Sequence, residues 1–389
     1  MIATSQQRGD DYAGGDRLSL KAGGGSDEIK LLVLDGDGTS TELIGATLKI
    51  LQELGQVAGL HFRTDIRRVG FQALADSGTT FPDAVLEAAR TADGVILGPV
   101  SHNDYPPAAA GGLNPSGQLR QQLDLYANIR PAKSHVGLPM RVAGSMDLVV
   151  VRENTEGFYA DRSMYDGPGE FMPTRDLAMS LRKITRSGST RIAESAFQLA
   201  GQRRRKVTAV HKANVLRVTD GLFLECVRNV AAAHPDVEYE EQLIDAMAAL
   251  VIRNPSRFDV ICTTNMFGDI LSDEATEISG SIGLGASLNV GETHAVAQAQ
   301  HGSAPGLTGR DVVNPYSLIS SAGMLLHWLG TRRGSPTLIA AAAAIEEALD
   351  MTVANPLWRT ADLGGPLGTS AFTDRVAANI GDVIGRRAR

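Results

Sequence analysis

At 389 residues, with 43% hydrophobic and 21% charged residues, the chain exceeds one ordinary hydrophobic core and should fold as two domains or one large two-lobed unit. A net charge of −7 argues against nucleic acid as a partner. No apolar stretch is long enough to cross a bilayer, and the polar N-terminus lacks the apolar core of a secretion signal. Two distant cysteines, Cys226 and Cys262, lack metal-ligand spacing and read as reduced core thiols of a cytoplasmic protein.

Residues 1–28, rich in Gly, Asp, Ser and Gln, read as a flexible extension. The apolar run Ile29 to Leu34 suits a buried strand, followed by a Gly36-Asp37-Gly38 turn and a helix from Glu42 to Leu54. A strand near His61 to Arg67, a helix over Pro82 to Ala92 and a strand from Gly94 to Leu97 continue the alternation. Leu148 to Val151, Lys206 to Val210 and Asp259 to Cys262 are strand-like with helical patterns between them, which implies an α/β sheet wrapped by helices. The cationic run Arg203 to Lys206 reads as a solvated helix end or loop. Asp161 to Arg175 is polar and aperiodic, a loop or an arm reaching a second subunit. After Pro315 two helices are predicted, Tyr316 to Leu329 and Thr337 to Leu349.

Four groups of residues carry chemistry. Asp269 and Asp273, four apart on a predicted helix after a strand, share one face. They suit Mg²⁺ or Mn²⁺, or merely complement the helix dipole. Arg120, Arg130 and Arg152 offer planar forks for carboxylates, although singly each reads as a surface ion-pair partner. Lys212, in His211-Lys212-Ala213-Asn214 just past a strand, is either a general base or an ordinary exposed lysine; Tyr159 alone reads as a packed aromatic. His301-Gly302-Ser303-Ala304-Pro305-Gly306, running on to Asn314-Pro315, is a loop able to bring backbone amides near a phosphate. Neither the G-x-G-x-x-G fingerprint nor the Walker loop is present.

In order and spacing these groups resemble the metal-dependent β-decarboxylating dehydrogenases: isocitrate, 3-isopropylmalate, homoisocitrate and tartrate/D-malate dehydrogenases. The resemblance runs from Ile29 to Ile384 and rests on several motifs. They are Leu119-Arg120 with Asp124 to Pro131, Val151 to Gly157, His211 to Leu216, Ile244 to Met247, Asn265 to Asp273, His301 to Pro305, and Arg359 to Gly365. The local runs look most like homoisocitrate dehydrogenase. The resemblance implies a two-lobed isocitrate/isopropylmalate dehydrogenase-like fold rather than the ordinary Rossmann fold. Residues 29–125 and 280–389 would form a large cofactor-binding lobe. Residues 126–279 would form a small lobe with dimer contacts and substrate and metal residues.

It further implies a homodimer with shared sites, NAD as cofactor with NADP possible, and a hydroxy di- or tricarboxylic acid substrate. Asp245, Asp269 and Asp273 would hold the metal. Tyr159, Lys212 and Asp245 would be catalytic, and Asn114, Ser116, Arg120, Arg130 and Arg152 would bind substrate. Asn214, His301, Gly302, Ser303, Ala304, Pro305 and Asn314 would bind the cofactor. Lys212 and Asp245 would come from the partner subunit.

The chain departs from the family pattern at four places. Thr39-Ser40-Thr41 replaces Ile-Gly-Pro, and Gln298 replaces a glutamate three residues before the loop histidine. Gly306 stands where NAD-dependent relatives have Asp. Leu113 to Gly117 is small and polar, without the Arg of some homoisocitrate enzymes, which points to a malate with a small or polar 3-substituent. Two other readings stay open: a dehydrogenase specific for 3-isopropylmalate, and a catalytically weak binding or regulatory protein on the same fold.

Overall fold

The computed structural model describes residues 28–142, 144–159, 164 and 167–387. The expected N-terminal extension therefore lies outside the described residues, apart from Glu28. The first parallel group is β1 (Ile29–Asp35), β2 (Phe62–Arg68) and β3 (Gly94–Leu97). Around it lie α1 (Ser40–Ala58), α2 (Phe71–Ser77), α3 (Asp83–Thr91) and α4 (Pro115–Gln122). The chain continues through β4 (Ala127–Lys133), β5 (Asp147–Glu153), β6 (Glu170–Thr174), β7 (Leu177–Ser180) and α5 (Arg186–Gly201). Then follow β8 (Lys206–His211), α6 (Thr219–Ala233), β9 (Glu238–Leu243), α7 (Ile244–Arg253), β10 (Val260–Thr263) and α8 (Asn265–Ser279). It ends with β11 (Ala286–Val290), β12 (Ala295–Ala299), α9 (Tyr316–Arg333), α10 (Pro336–Ala354) and α11 (Thr369–Arg387).

Ten strands form one sheet in the order β2-β1-β3-β12-β11-β4-β5-β10-β8-β9. Its two flanks are parallel, and the pairings β12–β11, β11–β4 and β4–β5 at the centre are antiparallel. This antiparallel centre corrects the simple strand–helix alternation expected from the sequence. Apolar side chains on alternate faces feed separate cores, because successive residues of a strand point to opposite sides. Val149 and Val151 pack with Ile192, Phe197 and Phe223 of α5 and α6. Leu148 and Val150 pack with Met247, Val251, Leu271 and Ala275 of α7 and α8. Around β1, α1 and α9 to α11 enclose one cluster, while Phe81, Val85 and Leu119 contribute to another.

The cationic run after α5 is a turn in which Arg203 and Arg204 pair with Asp147 and Asp259, the latter 1% exposed. At the end of the aperiodic segment β6 pairs with β7, just beyond it, in an exposed antiparallel ribbon, while residues 161–163, 165 and 166 of the segment lie outside the described residues. Among the described residues no helix is long and apolar enough to cross a membrane.

The helix most important for the site, α8, lies close against β5 because Gly268 faces it. A Cβ at Gly268 would lie 2.7 Å from both Cβ and Cγ of Arg152. Gly268→Ala should therefore force the two apart and destabilise the fold by about 1–3 kcal/mol, measured by denaturant unfolding. Unchanged stability would show that the contact relaxes freely.

Candidate active site

Strand alternation sends Arg130 of β4 and Arg152 of β5 to the face covered by α8, and the register places Asn128 opposite Arg152. Both arginines are buried inside their strands, 6% and 2% exposed, which corrects the reading of each as a surface ion-pair partner and of Arg152 as following its strand. On α8, Asp269 and Asp273 stand one turn apart on the facing side. Arg130 Nη1 lies 3.1 Å from Asp269 Oδ1 and 3.4 Å from Asp273 Oδ1, and donates to Ser272 Oγ at 2.8 Å. Arg152 Nη1 also donates to Asp269 Oδ1, while its Nε and Nη2 reach Asn265 Oδ1 at 3.0 and 2.6 Å. Tyr159 Oη is 3.4 Å from Asp269 Oδ2, and the Arg152 guanidinium sits 5.9 Å from the Tyr159 ring centre.

Charge crowding shifts these groups. Burial, and then repulsion from Arg152, pulls the Arg130 pKa down to about 10. Burial opposes ionisation of Asp269, but Arg152, Arg130, Arg120 and the Tyr159 hydroxyl outweigh it and hold the carboxyl below its ordinary value. Arg120 on α4 therefore belongs to the same electrostatic neighbourhood. Asn265, Ser272 and Gln300 were not foreseen; Gln300 Nε2 donates to Asp273 Oδ1 at 2.7 Å. They are common polar residues whose spacing carries no signal beyond Ser272 lying three residues after Asp269.

The Arg152-to-Gly157 motif also has a structural side. Glu153, 4% exposed, accepts from the backbone N–H of Thr155 and Glu156 at 2.8 Å each, and Glu156 accepts from Thr185 N at 2.8 Å. These two carboxylates shape the turn that carries Tyr159.

Lys212 and Asp245 form an ion pair with each other. The Lys212 N–H is held at 2.6 Å by Asp220, itself fully buried and paired with Arg182. Asn214 lies exposed in the same turn. Asp245 is 65% exposed at its side chain, and Lys212 first lowers its pKa by hydrogen bonding. Among the described residues no three His, Cys, Asp or Glu side chains come together as a metal cage. One chain thus brings Asp269 and Asp273 together and leaves Asp245 with Lys212.

The loop from His301 to Pro305 is fastened to the turn after β1. Thr39 donates to the Ser303 carbonyl from its N–H at 2.9 Å and from its hydroxyl at 3.1 Å, and Ser101 Oγ lies 2.7 Å from Ser303 Oγ. Gly38, at φ +57, leaves room that a Cβ would fill, only 2.2 Å from the Ser303 carbonyl oxygen. Asp37 accepts from the N–H groups of Phe71 and Ser101 at 2.8 and 2.9 Å and from Tyr105. Ser40 Oγ donates to Asp35 at 2.8 Å and accepts from Gly36 N at 2.7 Å. The departing Thr39-Ser40-Thr41 thus stitches the turn with hydroxyls. A cavity of about 430 Å³ opens beside it, bounded by Gly36, Gly38, Ser101 and Pro305.

Ala304 sits at φ +41, while Gly302 and Gly306 have open space around a built Cβ. Burial pushes the His301 pKa down. Asn314 donates to Asp362 at 3.1 Å and accepts from Tyr316 N at 3.0 Å. Asn114 caps α4 by accepting from Gly117 N at 3.2 Å, and Ser116 donates to Gln298 Oε1 at 2.8 Å.

The isocitrate/isopropylmalate dehydrogenase family model matches residues 30–376. The chain belongs to this family. It is 39% identical over 350 residues to the 3-isopropylmalate dehydrogenase of Archaeoglobus fulgidus, covering 90% of this chain and 98% of that one. Against the homoisocitrate dehydrogenase of Methanocaldococcus jannaschii it is 37% identical over 359 residues, covering 90% and 96%. The crystal structure of isocitrate dehydrogenase from Methylococcus capsulatus superposes with a TM-score of 0.80 at 36% identity, covering 90% of this chain and 99% of that one. The chain is therefore an oxidoreductase, from a family of NAD-dependent, metal-requiring dehydrogenases that oxidatively decarboxylate hydroxy acids.

The depressed pKa of Asp269 fixes a sign. Its stabilising contribution is complete above the ordinary Asp pKa of about 3.9 and is lost as pH falls through the lower folded value. Asp269→Asn should flatten the acid limb of unfolding free energy against pH, measured by denaturant titration. An unchanged acid limb would contradict the coupling to Arg130 and Arg152.

Proposed function

We propose that the protein oxidises a 3-substituted malate-type 2-hydroxy acid and decarboxylates it to a 2-oxo acid and CO₂, with NAD as acceptor. The observation that carries this reading is the meeting of buried Arg130 and Arg152 with Asp269 and Asp273. Arginine forks bind carboxylates in pairs of parallel hydrogen bonds, and aspartate oxygens are hard ligands. In the chain alone the arginines take the aspartates as partners. With substrate, Arg120, Arg130 and Arg152 would take its carboxylates.

Asp269 and Asp273, whose side chains are 37% and 55% exposed, fit a divalent metal as oxygen donors. They would hold Mg²⁺ or Mn²⁺ with Asp245 of the partner subunit. The ion supplies a Lewis acid that acidifies the 2-hydroxyl and stabilises enolate charge. Lys212, reaching across from the partner, would accept the hydroxyl proton, and bound NAD would supply the acceptor for the hydride of C2. The C3–carboxylate bond then breaks, its electron pair entering the enolate, and Tyr159 would deliver a proton to C3. Asn214, Asn314 and the loop from His301 to Pro305 would hold the cofactor.

Sharing of sites in a homodimer is supported by the separation of the Lys212–Asp245 pair from the Asp269 cluster. It is also supported by exposed apolar side chains at Val215 (66%) and Val218 (85%) beside Lys212, and at Met172 (64%) on β6. Residues 29–125 with 280–389 would form the large lobe, and 126–279 the small one. Two buried free thiols, Cys226 and Cys262, suit a cytoplasmic setting.

For the substrate, the polar Ser116–Gln298 contact favours a small or polar 3-substituent. The name of the Archaeoglobus relative favours 3-isopropylmalate as the second reading. Without an aspartate at Gly306 the ribose hydroxyls lose a ligand; NAD is favoured, while Arg310 keeps NADP in play. Purified protein should reduce NAD or NADP and release CO₂ with Mn²⁺ or Mg²⁺ on at least one of malate, tartrate, isocitrate, homoisocitrate and 3-isopropylmalate. Lys212→Ala and Asp269→Ala should each abolish this while remaining folded. No turnover on any of them would favour the binding-protein reading.

A further inference from the structure

Arg130 is held from behind by a buried chain of amides outside the reaction scheme above. Its Nε donates to Asn128 Oδ1, two residues away on the same face of β4. Asn128 is fully buried, and its amide orientation is fixed because Nδ2 donates to Ser287 Oγ at 2.8 Å and to Asn289 Oδ1 at 2.9 Å. Asn289 Oδ1 receives a second donor, Asn154 Nδ2, at 3.0 Å, while its own Nδ2 donates to the Val296 carbonyl at 3.3 Å. Asn154 is tied in turn to the Leu125 carbonyl at 2.9 Å. The amides therefore run from β11 in the antiparallel centre to β4, ending on the guanidinium. Each amide presents its oxygen in one direction only, so the oxygen of Asn128 must face Arg130.

We propose that Asn128 is a positioning residue that aims the Arg130 fork at the substrate carboxylate without neutralising it. This rests on the reading of Arg130 as a carboxylate ligand. A neutral acceptor is what the position requires. An apolar residue would leave Arg130 Nε and Asn289 Oδ1 buried without Asn128 as partner, and a carboxylate would compete with the substrate for the cation. It would also set its oxygens against Asn289 Oδ1, which lies between two donors.

Asn128→Ala, Asn128→Ser and Asn128→Asp test this, with 3-isopropylmalate, homoisocitrate and isocitrate as probes. In each variant KM for the hydroxy acid should rise about tenfold or more while KM for NAD stays the same. Crystals of the alanine or serine variant should show the Arg130 guanidinium turned from its place between Asp269 and Ser272. An unmoved Arg130, an unchanged hydroxy-acid KM, or an equal loss toward both substrates with a lower melting temperature would each overturn the assignment. If the wild type turns over none of the three acids, the functional reading fails on that ground, and the position of Arg130 in the crystals decides this inference by itself.

Discussion

Two buried guanidinium groups facing two half-open carboxylates constrain everything else in this molecule. Arg130 and Arg152 lie inside strands, where a cation is costly to bury unless it is paired and hydrogen-bonded. Asp269, Asp273, Ser272, Asn265 and Asn128 supply those partners. The arrangement needs α8 against β5 at glycine distance, and it needs β4 antiparallel to β5 so that Asn128 stands opposite Arg152. A charge cluster of this kind is poised to exchange partners: carboxylates of a ligand suit the arginines, and a divalent cation suits the aspartates.

Behind the same strands lies a cavity with a more apolar lining, although Lys133, His135 and Glu346 also border it. Ile129 and Pro131, on the other side of β4 from Arg130, line this space of about 850 Å³ together with Leu288, Met324 and Trp328. Sheet alternation thus separates a polar face that binds charge from an apolar one within three consecutive residues. The loop from His301 to Pro305 is fixed by a different device. The Ser303 carbonyl is gripped by Thr39, so the loop after β12 and the turn after β1 are one structural unit.

Apolar runs made β1, β3, β5, β8 and β10 legible, because buried parallel strands are written in Val, Ile and Leu. The central strands were not. β4 reads Ala-Asn-Ile-Arg-Pro-Ala-Lys and β12 reads Ala-Val-Ala-Gln-Ala, and neither composition signals a strand without the neighbours that pair it. Helix α1 runs from Ser40 to Ala58 and is capped by Gly59 in the left-handed conformation, wider than the apolar period from Glu42 to Leu54 suggested. For the site, spacing alone placed Asp269 and Asp273 on one helix face. The roles expected of Tyr159 and Asp245 came from resemblance to the family, while Arg120 as a carboxylate fork and Lys212 as a candidate base were also readable from the residues themselves. Asn128, Asn265 and Gln300 stayed invisible because a lone amide acquires meaning only from the groups that surround it.

The central claim is that the carboxylates of one chain and Lys212 of another build a single metal-dependent site. Mixing the inactive Lys212→Ala and Asp269→Ala chains, after unfolding and refolding together, tests it most directly. A mixed dimer would contain one site with both residues intact, so the account predicts that hydroxy-acid-dependent NAD reduction returns on mixing. Mixed chains that assemble into dimers yet remain as inactive as either parent would contradict it.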